Sequence, residues 1–440
     1  MIASLTGLDL ATAVAWERTA LLLLPVLLAA GLTLGCRPTP REASAAMLAF
    51  LWQVPALLAL NLLAREAGWW SFPGTDGPRV LGLPVDIWIG WAFLWGPAAA
   101  LIEMRAGLPA LLAGAALLDA VTMPLLDSVA LSDGWYAGEP VCLAAGLLPG
   151  LLLARWTRRD VRPLARTLVH AGGWGLYMLF ALPAVALTVE GGDWTAALHL
   201  PAGPLGWLGL AAALLCLLAG AAAAFEFATV GQGTPVPVDP PKRVVMSGPY
   251  AYIANPMQVT SAVVMALQAA QYRSPALAGV TVAFLLFDAV YAAHYNRVHI
   301  ARAMPRDWAA YKAAVPDWRV RWRPYRPGTP TVIARTGDEA RRRIAAGFAL
   351  DAGIALRRRR AGGAGRLVFS CAETGIRARG IAALSRILER RSLPWAVLAW
   401  TMRMPLVLPL LQAATYASIR GIVLVRGGAA APHRPSSHAR

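Results

Sequence analysis

Residues 204–226 read PLGWLGLAAALLCLLAGAAAAFE, a run whose only charged residue is Glu226. A helix needs about 20 mostly apolar residues to cross the hydrocarbon core of a bilayer, so this run predicts a membrane span. Similar windows recur along the first 230 residues. Seven spans are predicted in total, at 19–36, 44–64, 81–102, 108–130, 140–155, 167–189 and 204–226.

Two shorter apolar windows follow, at 257–270 and 275–293, and the polar turn Gln271-Tyr272-Arg273-Ser274 separates them. This pattern predicts a helical hairpin. The chain of 440 residues is 57% hydrophobic and only 15% charged, a balance that leaves too little polar surface to coat a soluble protein. The predicted fold class is therefore an all-α polytopic membrane protein with about seven to nine transmembrane helices.

The formal net charge of +17 could indicate a nucleic-acid partner, but the basic residues cluster in particular loops. Residues 155–166 hold five arginines, whereas residues 131–139 and 190–200 hold no Lys or Arg. Because basic loops stay on the cytoplasmic side, this asymmetry predicts that 155–166, 231–256 and 330–440 are cytoplasmic. We expect no nucleic-acid partner. The scarcity of lysine among many Arg, Ala, Gly and Pro residues indicates a GC-rich bacterial genome, and so a location in the inner (plasma) membrane.

Apolar density divides the chain into three predicted domains: an N-terminal transmembrane region (1–200), a second membrane region (201–325) and a basic cytoplasmic tail (326–440). The Pro-rich segment 324–330 marks the start of the tail. Within the tail, 366–370 predicts a short strand and 379–392 a helix. The apolar stretch 395–422 is broken by prolines and arginines, which favours a helix pair on a small domain or on the bilayer face over a further span.

Four scattered cysteines (Cys36, Cys142, Cys216 and Cys371) form neither a CxxC pair nor a metal-ligand pattern, so buried thiols and no metal site are expected. The intramembrane carboxylates are a second class of candidate. Glu103 lies at the end of a predicted span, where a solvated side chain is expected. Asp119 lies in the middle of a span and close to Asp127 in sequence, and is predicted either to pack or to line a pathway.

One cytoplasmic segment differs from an ordinary loop: GQGTPVPVDPPKRVVMSGPYAYIANPMQ, residues 231–258. Its prolines hold the backbone extended, since each fixes φ and disfavours helix in the residue before it. The pairs Gly248-Pro249 and Asn255-Pro256 flank Tyr250 and Tyr252. Composition alone leaves two interpretations: a Pro-rich connector whose tyrosines lie at the headgroup level, or a functional loop.

Residues 231–325 resemble the core of the isoprenylcysteine carboxyl methyltransferase and phospholipid methyltransferase superfamily. The family pattern is a Gly-Thr-x-x-x-Pro stretch, a Ser-Gly-Pro-Tyr-x-Tyr-x-x-His-Pro-Met core, a helical hairpin and a Tyr-x-x-Tyr-x-x-x-Val-Pro-x-Trp ending. The chain has GTPVPVDPP at 233–241, SGPYAYIANPM at 247–257, the predicted hairpin, and DWAAYKAAVPDW at 307–318.

The resemblance implies methyl transfer from S-adenosylmethionine to a membrane lipid or isoprenoid acceptor at the cytoplasmic face. The catalytic residues are not assigned. Aromatic faces suit a cationic sulfonium, and the transfer depends mainly on positioning. The cofactor-binding residues that the resemblance implies are Gly248, Pro249, Tyr250, Tyr252, Asn255, Pro256, Met257, Arg297, His299 and Tyr311.

Two departures from the family bear on this activity. Asn255 stands where the family has histidine, and no Asp or Glu occurs between Ala289 and Arg306, where the family has an acidic pair. Two alternatives therefore stay open: a non-catalytic membrane scaffold descended from such an enzyme, which these losses favour, and a transporter served by Asp119 and Asp127. Paired inverted repeats with broken helices, typical of many transporters, are not evident.

The tail shows a weaker similarity. Residues 379–420 resemble the C-terminal half of the small thioredoxin-like domains named for an Asp-Cys-Cys motif, and the resemblance as a whole extends over about 331–425. It implies a degenerate thioredoxin-like α/β domain. Those domains carry a CxxC pair near their start, whereas this tail has only Cys371. A dithiol cycle within the tail is therefore excluded, and a non-redox domain is expected.

Overall fold

The computed structural model describes residues 9–73, 77–193, 195, 203–236, 239–335, 347, 354–359 and 367–415. Within these described residues, eight helices are long and apolar enough to cross a membrane. They are α1 (Leu10–Cys36), α2 (Pro40–Glu66), α3 (Val85–Ala106), α4 (Leu108–Leu125), α5 (Trp135–Arg158), α6 (Pro163–Val189), α7 (Gly203–Gly231) and, after the 17-residue helix α8 (Pro256–Tyr272), α9 (Pro275–Ala301).

These helices confirm the predicted mostly helical architecture, and their number lies within the predicted range of seven to nine. The hairpin is confirmed as well: α8 ends at Tyr272, and the Ser274 hydroxyl accepts the Leu277 backbone N–H at 3.1 Å to begin α9. At 17 residues, α8 is the shorter limb. A helix of that length rises about 25 Å, slightly less than a typical hydrocarbon core.

The first helix begins nine residues before the predicted start at residue 19. Asp9 caps α1, its side chain accepting the Thr12 N–H at 3.0 Å. The two charged residues that interrupt the apolar pattern are partnered: Arg18 pairs with Asp86 at 2.8 Å, and Glu17 accepts the backbone N–H and the hydroxyl of Ser128. Hydropathy counts those charges as exposed, and therefore places the start of the helix too late.

Several of the long helices contain a single wide, π-type turn near a proline. In α3 this turn spans Leu94–Ala98 and includes Pro97. In α5 and α6 it spans Leu143–Leu147 and Tyr177–Ala181, and Pro149 and Pro183 follow two residues later. Proline lacks an N–H and clashes with the carbonyl four residues earlier, so one wide turn lets the helix continue through it.

The chain forms two compact units. The first comprises residues 1–217, 227–243 and 258–305; the second comprises 218–226, 244–257 and 306–440. The three-domain division by sequence stays a prediction. In the first unit, helices approach closely at small residues: a Cβ at Gly90 of α3 would lie 2.0 Å from the Leu21 carbonyl oxygen of α1. Only glycine permits that approach, as at many helix contacts within membranes.

Short antiparallel pairs connect the spans of the first unit. Strand β1 (Trp70–Ser71) pairs with β4 (Ala130–Leu131), and β2 (Arg79–Val80) pairs with β3 (Leu83–Pro84). Beside them lies an apolar core that combines residues of the α2, α3 and α6 helices, including Leu58 and Ile87, with Leu83 of β3. These pairings satisfy backbone groups of the connecting loops.

The second unit combines helices with a four-stranded sheet. Its helices are α10 (Pro305–Ala314), α11 (Ile381–Leu388), α12 (Leu393–Met402) and α13 (Val407–Thr415). The strands are β5 (Thr331–Arg335), β6 (Ala355–Arg359), β7 (Leu367–Cys371) and β8 (Ile376–Arg379), in the order β6-β5-β7-β8. Strand β6 is parallel to β5, and the other pairs are antiparallel.

The sheet gives the tail an α/β character, and the predicted strand at 366–370 is observed one residue later. The predicted helix at 379–392 is observed as the shorter α11. The apolar stretch after residue 393 forms two helices, α12 and α13, bent by 83° at their junction, as the prolines predicted; the part of this stretch beyond residue 415 lies outside the described residues. The thioredoxin-like relationship stays a prediction. Cys371, at the end of β7, is buried.

Candidate functional site

The loop that carries the SGPYAYIANPM motif begins with a tight turn. Ser247 is extended, and residues Gly248–Ala251 form one 3-10 turn with Pro249 at its start. Gly248 has φ of +63°, and a Cβ there would lie 3.0 Å from Cγ of Glu226. Glycine is therefore required at position 248 for two reasons: the backbone is left-handed, and the Glu226 side chain lies too close for a Cβ.

Tyr252 lies inside the second unit, with 1% of its surface exposed. Its hydroxyl donates to the backbone carbonyl of Glu389 at 2.7 Å, and its ring meets that of Trp400 edge to face, with centroids 5.7 Å apart. Burial, with the nearby Glu389 carboxylate adding to it, raises the pKa of Tyr252. The Tyr252 ring thus packs against α12, and its hydroxyl is hydrogen-bonded to the segment that follows α11.

The third motif, DWAAYKAAVPDW, folds directly against the same loop. The Tyr311 hydroxyl donates to the Tyr250 carbonyl at 2.8 Å, and the Ala254 N–H donates to the Pro316 carbonyl at 2.9 Å. Tyr311 is 1% exposed. Two motifs about 60 residues apart in sequence are therefore joined by both side-chain and backbone hydrogen bonds.

Asn255 is buried in this junction. Its Nδ2 lies 3.4 Å from both the backbone oxygen and Oδ1 of Asp317. At that length these are weak hydrogen bonds. Asp317 also pairs with Lys312 of α10. The amide thus helps to hold the two motifs together, a task that requires no titrating ring.

The ten predicted cofactor-binding residues are divided between the two compact units. Gly248, Pro249, Tyr250, Tyr252, Asn255, Pro256, Met257 and Tyr311 all belong to the second unit. Arg297 and His299 belong to the first unit, in the π-type turn that ends α9. The side chain of Arg297 lies outside the described residues, and His299 is exposed. The assignment of these ten residues to a cofactor stays a prediction.

A buried charge network lies under the loop. Arg386 of α11 donates to both carboxylate oxygens of Glu226, at 2.6 and 3.0 Å, and also to Glu389 at 3.0 Å. Arg403 donates to the other Glu389 oxygen at 2.5 Å, and the Ser247 hydroxyl donates to Glu226. Burial opposes the charge of Arg386, but the Glu226 and Glu389 carboxylates outweigh it and raise its pKa.

Sequence reasoning missed this network. Its one local signal is Glu226, a carboxylate at the end of an otherwise uncharged span, which is a functional hypothesis by default. Nothing local in the sequence points to Arg386, which is 160 residues away. The two guanidinium groups, of Arg386 and Arg403, neutralise the two carboxylates, of Glu226 and Glu389. Buried charges need partners of opposite charge to offset the cost of their desolvation.

The cavity beside the loop is small. It has a volume of about 20 Å³ and is lined by residues that include Ser247, Gly248, Tyr325, Phe369 and Arg390. That volume accommodates about one water molecule, whereas small-molecule sites in proteins usually measure about 300–1,000 Å³. With Tyr252 and Glu226 already hydrogen-bonded within the unit, this cavity is too small for S-adenosylmethionine in this conformation.

A second polar cluster lies in the first unit, where the GTPVPVDPP motif meets the ends of α2, α5 and α6. Arg166 is 1% exposed and pairs with Asp239 at 2.9 Å. Asp160 pairs with Arg41 at 3.0 Å and with Lys242 at 3.2 Å. Burial raises the pKa of Asp160, but the Lys242 hydrogen bond and the surrounding cations outweigh it, so that the net shift is downward. The cluster fixes the extended motif.

The two other candidate carboxylates, Glu103 and Asp119, belong to the apolar helices of the first unit. Glu103 is buried and pairs with Arg158 and, at 3.5 Å, with Arg155, so the expectation of a solvated side chain was wrong. Asp119 lies near Glu139 of α5, and its predicted role in packing or in a pathway stays a prediction. Asp127, which is close to Asp119 in sequence, donates its backbone N–H to Glu17. Within the described parts of the chain, no three His, Cys, Asp or Glu side chains are grouped as metal ligands.

Comparison of the chain with protein-family models, with curated proteins and with solved structures finds no match.

Proposed function

We propose that the chain is a membrane methyltransferase that transfers a methyl group from S-adenosylmethionine to a lipid-like or isoprenoid acceptor at the cytoplasmic membrane face. One observation carries this proposal. The loop motif and the ending motif, which the family has in the same order, fold into one hydrogen-bonded module through Tyr311 and Tyr250 and through Ala254 and Pro316. This pairing supports the proposal because an enzyme of that kind would need both motifs in one site.

The closed loop sets a condition on this proposal. The cavity beside the loop measures only about 20 Å³, so a cofactor bound in that cavity requires the contact of Tyr252 with Glu389 and Trp400 to open first. A protein whose binding-competent state is a small fraction of the total binds with an affinity reduced by that fraction. Weak binding by the wild-type protein is therefore expected.

A non-catalytic membrane scaffold is the second candidate, and a specific observation favours it. The groups that would meet a cofactor are used internally: Tyr252 by the Glu389 carbonyl, Tyr311 by the Tyr250 carbonyl, and Asn255 by Asp317. In this alternative the loop is a structural joint, and the losses of the family's histidine and acidic pair have no consequence.

Cofactor binding distinguishes the two candidates. Full-length protein in lipid nanodiscs would be titrated with S-adenosylmethionine by calorimetry, alongside Trp400→Ala, which loosens the Tyr252 contact. The enzyme proposal expects saturable binding that is tighter in Trp400→Ala, competition by S-adenosylhomocysteine, and label transfer from methyl-labelled cofactor to a bacterial lipid extract. Asn255→Ala would serve as a site variant and Ala372→Ser, in the exposed β7–β8 turn, as a matched control.

No binding at millimolar cofactor by either the wild type or Trp400→Ala, with both proteins folded and monodisperse, would reject the enzyme in favour of the scaffold. Binding without label transfer to any lipid would retain the cofactor site and reject the proposed acceptor class.

A further inference from the structure

The second unit exposes large apolar side chains on two segments that meet. The extended segment after α10 exposes Trp318, Val320 and Trp322, and the bent pair α12–α13 exposes Leu398, Leu406 and Leu410. We call these six residues the Trp–Leu surface. The exposed fractions are large for such residues, at 64% for Trp322, 82% for Leu406 and 70% for Leu410.

A backbone hydrogen bond places the two segments side by side. The Leu393 N–H, at the start of α12, donates to the Trp322 carbonyl at 3.0 Å. The guanidinium of Arg391 lies 5.0 Å from the centroid of Trp395, one turn into the same helix. Soluble proteins rarely expose several large apolar residues together unless something covers them.

We propose that the Trp–Leu surface docks on the headgroup region of an anionic phospholipid bilayer, so that the tail is a peripheral membrane anchor. The residue types on the Trp–Leu surface favour a bilayer as the partner. Tryptophan is enriched at bilayer interfaces because its ring is apolar and its N–H is polar. Exposed arginines alternate with the apolar residues here, at Arg319 and Arg323, and their charge complements anionic headgroups.

Connectivity favours a bilayer over a soluble partner. Residues 218–226, the last turns of the apolar helix α7 before its terminal wide turn, belong to the second unit. The unit is therefore tethered to a candidate membrane span. The bend at the α12–α13 junction also excludes one straight span: α12 has ten residues and rises only about 15 Å, half the hydrocarbon thickness. Neither α12 nor the shorter α13 is therefore long enough to cross the bilayer by itself.

The test uses the full chain, with its four native cysteines replaced by alanine, in nanodiscs of phosphatidylcholine with or without phosphatidylglycerol. An environment-sensitive fluorophore is attached at Leu406→Cys or Leu410→Cys. The matched control is Ala372→Cys, which is exposed in the same unit but lies in the β7–β8 turn. Lipids with a spin label near the headgroup or near the chain end report depth by quenching.

For an interfacial anchor we expect headgroup-level quenching about threefold stronger at 406 and 410 than at 372. It should decline without phosphatidylglycerol and in the Arg319→Gln/Arg323→Gln double variant. Equal quenching at all three positions would overturn the proposal. Stronger quenching by the chain-end label would overturn it in favour of an inserted segment, and disulfide-linked dimers through Leu406→Cys without lipid quenching would assign the surface to a second copy. None of these outcomes depends on whether the chain binds S-adenosylmethionine.

Discussion

Replacing Arg386 with methionine should destabilise the second unit more than any surface change. Arg386 makes two hydrogen bonds to Glu226, at 2.6 and 3.0 Å, and one to Glu389 at 3.0 Å, with both carboxylates buried. Glu389 keeps Arg403 in the variant, whereas Glu226 keeps only the Ser247 hydroxyl. Breaking a buried pair by removing one partner costs about 3–5 kcal/mol, because an uncompensated charge is left behind.

The double variant Arg386→Met/Glu226→Leu should be less damaged than Arg386→Met alone. It removes both charges and keeps the volume apolar, an exchange that is often close to neutral. The remaining cost is about 1–2 kcal/mol, from the unpartnered Ser247 hydroxyl and the lost hydrogen bond to Glu389. The thermodynamic cycle should therefore give a coupling between Arg386 and Glu226 of about 2 kcal/mol or more.

Unfolding would be followed in detergent micelles by the urea dependence of proteolytic cleavage within the tail, with the free energy taken from the midpoint and slope. Arg323→Met, which removes an exposed arginine of the same unit, is the matched control and should change stability by less than about 0.5 kcal/mol. A loss below about 1 kcal/mol for Arg386→Met, or a double variant as unstable as the single one, would refute the buried network.

Four further predictions concern separate features. Tyr252→Phe should cost about 1–2 kcal/mol by leaving the buried Glu389 carbonyl unpartnered, as measured by the same proteolysis. Gly248→Ala should cost more than Gly68→Ala: both have positive φ, but only at Gly248 would the methyl group meet Glu226; equal losses in thermal unfolding would contradict this. Asp160→Asn should lower stability at pH 7. Because its folded pKa is depressed, that stabilisation is present above the unfolded pKa of about 4 and lost as pH falls through the folded value, so the two proteins should converge in acid unfolding curves. Reporter fusions should place residues 155–166 and residue 335 in the cytoplasm and residues 131–139 outside, and an external signal at residue 335 would contradict the topology.

The positions of the helices were largely predictable, and the candidate site was predictable only as a segment. The apolar runs at 44–64 and 167–189 lie within α2 and α6. The length of an apolar run is enough to predict a membrane span, whatever the helix packs against. The resemblance assigned Tyr250 and Tyr311 to one site, and the Tyr311 hydroxyl donates to the Tyr250 carbonyl. Their role toward a cofactor stays a prediction. No sequence pattern indicated which way the Tyr252 side chain points. Its sequence neighbours would allow the ring to face a ligand, but in the structure the ring packs against Trp400.

The sequence by itself determined that this chain is mostly helical and that several of its helices are long and apolar enough to cross a membrane. Hydropathy is summed over residues that are neighbours in sequence, so it requires no knowledge of distant residues. The tertiary structure alone decided which charges are buried together. Glu226 and Arg386 are 160 residues apart, and Arg41 and Asp239 are 198 apart. A buried ion needs a partner within a few ångströms to offset its desolvation, and only the packing of remote segments determines which residue supplies it.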